Sequence, residues 1–193
     1  MFKRLYLLHM KIIITESQYN RILMEEEEQK VFHIPSLKFF NDDWNLLQKF
    51  LKSKGNPPYS IGGNLDLYGL PFKSLGNLQS VGGYLDLRVT PIKSLGNLTS
   101  VGGWLELADT PVKSLGNLTS VGGFLDLEGT QIESLGNLIS VGGNLFLKGT
   151  QIESLGNLIS VEGSLGLENT PLSKNYTEEQ IRQMLDVGGD IFM

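Results

Sequence analysis

From Leu65 onward the chain carries pairs of leucines separated by one residue, and the pair returns every twenty positions. Leu65, Leu85, Leu105, Leu125, Leu145 and Leu165 form one column, and Leu67, Leu87, Leu107, Leu127, Leu147 and Leu167 form a second. Residues two apart lie on the same side of a strand, so each pair predicts a short strand with one buried face. Other apolar columns run from Ile61 to Val161, from Phe72 to Leu172, from Leu75 to Leu155 and from Leu78 to Leu158. One unit reads V-G-G-W-L-E-L-A-D-T-P-V-K-S-L-G-N-L-T-S, from Val101 to Ser120. Self-similarity at such a period predicts a solenoid, in which each unit packs on its neighbours. A single unit buries too few side chains to offset the entropy of ordering its backbone, so only stacking makes it stable.

The flanks read differently. Leu5 to Ile14 is apolar, and its Lys-Ile-Ile-Ile run predicts a short strand. Thr15 and Gln18 have capping-box spacing and predict a helix that runs into Glu25, Glu26, Glu27 and Glu28, a solvated charge run. Pro35 and Ser36 make a break. A second helix follows, with Asn41 as its expected cap and Asp42 and Asp43 suiting its N-terminus. Trp44, Leu47 and Leu51 share one face of it, flanked by Leu46 and Phe50, and Gly55, Pro57 and Pro58 end it. Such a helix is expected to cover the open end of the stack. Beyond Leu172, Thr177 and Gln180 form another capping box ahead of an apolar face of Ile181, Met184 and Leu185. Val187 to Met193 then repeats the pattern V-G-G-x-L-x-L, with Ile191 and Met193 as the expected inward pair of a seventh strand.

The strings L-D-L-R-V-T-P-I-K-S-L (Leu85 to Leu95) and L-D-L-E-G-T-Q-I-E-S-L (Leu125 to Leu135) resemble leucine-rich repeats, whose core pattern is L-x-L-x-x-N-x-L-x-x-L. Thr90, Thr110, Thr130, Thr150 and Thr170 stand where that family commonly has Asn. The linkage L-x-S-V-G-G-x-L-x-L, as in Leu98 to Leu107, is also similar to the repeats of receptor L domains, which are closer to a right-handed β-helix. The resemblance implies a non-enzymatic recognition scaffold with parallel strands on one face. The expected fold is a repeat solenoid, leucine-rich-repeat-like, with one parallel β-sheet of about six to seven short strands flanked by N- and C-terminal capping helices. Its expected division is a strand and helix extension over 1–40, a capping helix and linker over 41–60, six repeats over 61–172, and a capping helix and final strand over 173–193.

Gly82, Gly83 and their counterparts fall at the turn into the strand, where a positive φ or close packing of adjacent coils excludes a Cβ. Glu162 breaks this column, as expected of an end unit. Asn77, Asn97, Asn117, Asn137 and Asn157 predict a ladder of amides bonded to neighbouring loop backbone. Asn97-Leu98-Thr99, Asn117-Leu118-Thr119 and Asn175-Tyr176-Thr177 match the glycosylation acceptor pattern; the first two recur with the repeat in a packed turn, and all three are read as structural.

Composition narrows the function. The 193 residues carry a net charge of −5, which argues against nucleic acid or an anionic membrane as partner. Cysteine is absent, which suits a reducing compartment and removes disulfides and thiolate chemistry. His9 and Lys11 interrupt the apolar stretch near the N-terminus, which is too short to span a bilayer, so a cytoplasmic location is expected. Met1 and Met10 are both candidate starts. The two histidines, His9 and His33, lie outside the repeats, and no phosphate loop, nucleophile turn or metal-ligand spacing occurs. No enzymatic activity, cofactor or metal is expected.

Function is therefore sought on the outward positions of the strand face. The residue before the first leucine reads Asn64, Tyr84, Trp104, Phe124, Asn144, Ser164; the residue between the leucines reads Asp66, Asp86, Glu106, Asp126, Phe146, Gly166. The residue after the second leucine reads Tyr68, Arg88, Ala108, Glu128, Lys148, Glu168. Tyr84, Trp104 and Phe124 beside Asp86, Glu106 and Asp126, with Arg88, make the candidate surface, and a protein with a basic or mixed surface is the expected partner. Three other readings compete: aromatics stacked for stability beside solvated acids, a self-associating structural element, and carbohydrate binding through Tyr84 and Trp104. A monomer is the default. Past the turn, Lys73, Lys93 and Lys113 give way to Glu133 and Glu153 in one column.

Overall fold

The computed structural model describes residues 3–7, 10–14 and 31–193. The chain divides into two compact units, Met1–Val31 and Phe32–Met193. In the first, strands Lys3–Leu7 and Met10–Ile14 pair antiparallel, with Leu7 opposite Met10. Two strands thus stand where the apolar run predicts one. The helix expected after Thr15 lies outside the described residues.

The second unit is a parallel β-solenoid of twenty-residue repeats with two sheets, where the sequence predicts one. Leucine pairs form a seven-stranded parallel sheet, the Leu-Leu sheet, running from Leu65–Asp66 to Ile191–Phe192. An eight-stranded sheet, the Ser-Val sheet, is built from Ser100–Val101 and its equivalents, with Phe32–Ile34 at one edge and Asp186–Val187 at the other. Its repeat strands are mostly two residues long, with only the valine buried, so they carry no alternation to betray them. Register is strict: Val101 pairs with Val121, Leu105 with Leu125 and Glu106 with Asp126. Each column is therefore stacked on itself, and the leucine columns form one continuous buried core.

The Gly-Gly bend joins the two sheets. A Cβ on Gly102 would lie 2.2 Å from the Gly82 carbonyl oxygen, and one on Gly122 would lie 2.2 Å from that of Gly102. Close approach of successive coils explains this column; positive φ does not. Left-handed glycines occur elsewhere, as at Gly96 (φ 60), where the N–H donates to Ser94 Oγ at 3.1 Å.

The threonine column is buried and satisfied within each coil: Thr110 Oγ1 donates to the Leu107 carbonyl at 2.7 Å and Thr130 Oγ1 to that of Leu127 at 2.8 Å. The expected asparagine ladder forms only at its start, where Asn77 Nδ2 donates to Asn56 O at 2.6 Å and Asn97 Nδ2 to Asn77 Oδ1 at 3.2 Å. Further on, backbone groups take over, with Asn117 N–H donating to Gly96 O at 3.2 Å and Asn157 N–H to Gly136 O at 3.1 Å.

Helix α1, Trp44–Ser53, buries Trp44, Leu47 and Leu51 in the same core, and the Trp44 ring lies 5.4 Å from that of Phe72. Its cap is Asp43, whose Oδ1 accepts from Asn45 N at 2.8 Å and Leu46 N at 3.1 Å; Asn41 instead closes a short 3-10 turn, Leu37–Phe40, in a left-handed conformation (φ 54). At the other end, Pro171–Asn175 (α2) and Glu178–Met184 (α3) start with capping boxes at Thr170/Ser173 and Thr177/Gln180. Ile181 and Leu185 are buried, whereas Met184 is 50% exposed, contrary to its expected place on the apolar face. The last strand ends at Phe192, so Ile191 points inward and Met193, past the strand, is largely exposed. Among the described residues no helix is long and apolar enough to cross a membrane.

Candidate functional site

Parallel strands in register set like residues about 4.8 Å apart along the stack, a spacing suited to ring stacking. Tyr84 and Trp104 stack with centroids 4.0 Å apart at 1°, and Trp104 and Phe124 at 5.6 Å and 4°. Both faces of Trp104 are thus occupied. Phe124 meets Phe146 edge-on at 6.4 Å and 63°, which carries the aromatic row into the fifth coil through the neighbouring column. The sequence displays Phe146, but only the three-dimensional diagonal shows that it joins the row. Each such pair adds about 0.5–1.5 kcal/mol beyond its buried area.

The acidic row is graded in exposure: Asp66 is exposed, Asp86 is buried, and Glu106 and Asp126 are half-buried. Arg88 lies two residues beyond Asp86, in the turn that follows the strand, and its side chain returns to it. Arg88 Nη2 donates to Asp86 Oδ2 at 2.6 Å and Nε to Oδ1 at 3.1 Å, while the Arg88 backbone N–H adds 3.0 Å to Oδ1. Nε also lies 2.5 Å from Glu106 Oε2. With that N–H directed at Asp86, Glu106 Oε2 has a charge contact but no aligned hydrogen bond. The guanidinium covers the Tyr68 ring at 5.4 Å. The hydrogen bond to Asp86 holds Arg88 above its already high pKa range.

Burial raises the Glu106 carboxyl, with Arg88 pulling it down and Asp86 and Asp126 pushing it up. Burial also raises Asp126, partly offset by the Glu128 N–H, and it raises Glu128, with the Asp126 charge adding to the effect. Arg88 thus contacts Asp86 and Glu106 directly and offsets Asp126 from further away, while Lys148 offsets part of the push of Asp126 on Glu128. All seven predicted residues, Tyr84, Trp104, Phe124, Asp86, Glu106, Asp126 and Arg88, lie on this one face of the Leu-Leu sheet.

Beside this row lies a cavity of about 540 Å³ lined by Ser36, Lys38, Asp42, Asn64, Asp66 and Tyr84, floored by Leu37. Ser36, Lys38 and Asp42 precede the repeats and follow no period, so the repeat pattern does not mark them as site residues. A shallow groove of about 430 Å³ follows the serine column past Ser100 and Gly102 and ends at Glu162. His33 is in register with Ser60, its Nδ1 3.0 Å from Ser60 Oγ. Among the described residues no three His, Asp or Glu side chains converge in a way that would hold a metal ion.

No family model, no curated protein and no solved structure matches the chain. It is a parallel β-solenoid of twenty-residue repeats with leucine at regular positions.

Proposed function

We propose that the protein is a non-enzymatic recognition scaffold that binds a partner protein on the outer face of the Leu-Leu sheet. The observation that carries this reading is the stacked row Tyr84–Trp104–Phe124 beside Asp126 and Glu128, two acids raised by burial whose basic neighbours, Arg88 and Lys148, act from further away than Arg88 does on Asp86. Aromatic edges beside raised carboxylates suit a partner with a basic or mixed surface. The stacking also weighs against a carbohydrate seated on Trp104, because sugar rings need an exposed aromatic face and both of those of Trp104 are covered by its neighbours. Kinship with leucine-rich repeats fits the leucine pairs, and α1 and α3 are best read as caps that shield the ends of the core. The absence of cysteine suits a reducing, cytoplasmic setting.

Affinity capture with wild type, Trp104→Ala and Asp126→Lys, each verified as folded by circular dichroism, tests the reading. A partner retained by wild type and lost by both variants supports it. Equal capture of every protein by all three would refute it.

A further inference from the structure

We propose that the first edge of the Leu-Leu sheet is a strand-addition site for an extended peptide bearing one basic side chain. The proposal rests on the reading of this face as a recognition surface and adds to it the backbone chemistry of one edge.

The two sheets differ by one strand. Phe32–Ile34 pairs with Tyr59–Ile61 and extends the Ser-Val sheet, but after Ile34 the chain turns into the 3-10 segment, so the Leu-Leu sheet begins at Leu65–Asp66. The N–H groups of Leu65, Leu67 and Gly69 donate to the carbonyls of Tyr84, Asp86 and Arg88 at 2.8, 3.0 and 3.0 Å. Alternate residues of a parallel strand bond to opposite sides. The carbonyls of Asn64, Asp66 and Tyr68, the first-coil equivalents of Tyr84, Asp86 and Arg88, therefore face outward. The Asp66 N–H faces the same way. Among the described residues no strand stands there to meet them. An extended peptide supplies N–H groups at every second residue, which is what this row of carbonyls accepts.

The 540 Å³ cavity opens beside this edge. Tyr84 stacks on Trp104, among the described residues no second ring stacks on it, and Asn64, one row earlier, accepts from the Tyr84 N–H through Oδ1 at 3.2 Å. Tyr84 lines the cavity together with Asp42 and Asp66. Asp66 uses Oδ1 to accept from Tyr68 N at 3.1 Å, which leaves Oδ2 to an incoming donor. A guanidinium or ammonium laid on Tyr84 meets both the ring and these carboxylates. Lys38 lines the same cavity, so two carboxylates against one ammonium leave room for one cation and disfavour a polybasic tract.

The test uses the full chain and a mixture of acetylated, amidated pentapeptides with arginine at the centre and threonine, valine, isoleucine or tyrosine elsewhere, followed by amide NMR. The expected result is saturable shifts at Asp66 and Tyr84 and slowed exchange of the Asp66 N–H. A glutamate-centred mixture and an arginine-centred mixture N-methylated at the residues flanking arginine should each bind about tenfold more weakly or worse. Asp66→Asn, which keeps the Tyr68 bond, should weaken the arginine mixture, and Glu133→Gln, at an exposed position of another column three coils further on, should leave it unchanged. No shift at Asp66 up to about 5 mM peptide, or equal binding by the N-methylated mixture, overturns the strand-addition site. Loss of a captured partner with Trp104→Ala in the absence of peptide binding would sink this proposal alone and leave the face reading standing.

Discussion

The Arg88 guanidinium grips Asp86 side-on, Nη2 to Oδ2 at 2.6 Å and Nε to Oδ1 at 3.1 Å, so a buried carboxylate is satisfied by a residue of its own coil. Removing the arginine takes from the buried Asp86 side chain two of its three hydrogen bonds. Arg88→Met is expected to lower stability by about 2–3 kcal/mol, read as a fall in the urea midpoint. Asp86→Asn combined with Arg88→Met should recover much of that loss, because the stranded charge is then gone. A double variant no more stable than Arg88→Met would show that the pair is not coupled.

Asp126 makes the opposite case. Its carboxyl is raised by burial, so the folded protein holds this proton more tightly than the unfolded chain. That contribution to stability is fully present below the unfolded carboxylate pKa and is lost as pH rises through the folded value. Asp126→Asn retains an oxygen to accept from the Glu128 N–H, now 2.9 Å from Oδ1, and discards the desolvated charge. The variant should melt above wild type at neutral pH, with the gap closing as pH falls to about 4. A gap that widens on acidification would reverse the assignment.

The leucine columns, the apolar face of α1 and the seventh strand were legible because each rests on a period, whereas the cap of α1 is Asp43 and not the expected Asn41. The Ser-Val sheet was not, since a strand of two residues with a single buried side chain contains no alternation to read. The aromatic row followed from register alone, as Tyr84, Trp104 and Phe124 share a column. Arg88 as counterion to Asp86 was within reach, because the two lie two residues apart in one coil, but its contact with Glu106 depends on the neighbouring coil. The cavity at Tyr84 needed the path of the chain from Ser36 to Asp42, which the repeat says nothing about.

The threonine column predicts a local and additive effect. Each hydroxyl bonds to a carbonyl three residues back in its own coil, as Thr90 does to Leu87 at 2.6 Å and Thr150 to Leu147 at 2.7 Å. Thr90→Val and Thr150→Val keep the shape and the backbone N–H bond to the same carbonyl, at 3.3 and 3.1 Å, and remove only the hydroxyl bond, at about 0.5–1.5 kcal/mol apiece. The sites lie three coils apart, so the double variant should equal the sum to within about 0.5 kcal/mol. A larger discrepancy in denaturant melts would mean that coils communicate beyond their nearest neighbours.

The glycines separate into two kinds with different penalties. At Gly136 the backbone is left-handed (φ 58) with nothing within 4 Å of a Cβ, so alanine costs only the conformational strain, about 1–2 kcal/mol. At Gly102 an alanine Cβ would sit 2.2 Å from the Gly82 carbonyl oxygen, a backbone atom that cannot move without parting the two coils. That position lies where the Gly-Gly bend joins the sheets, and Gly102 N–H donates to Val81 O at 2.8 Å. Gly102→Ala should therefore destabilise by more than about 3 kcal/mol, in the range of severe core overpacking, and should loosen both sheets together. Denaturant midpoints for the two variants, measured side by side, test this ordering. Equal losses at Gly102 and Gly136 would mean that the coils are not packed through their glycine backbones.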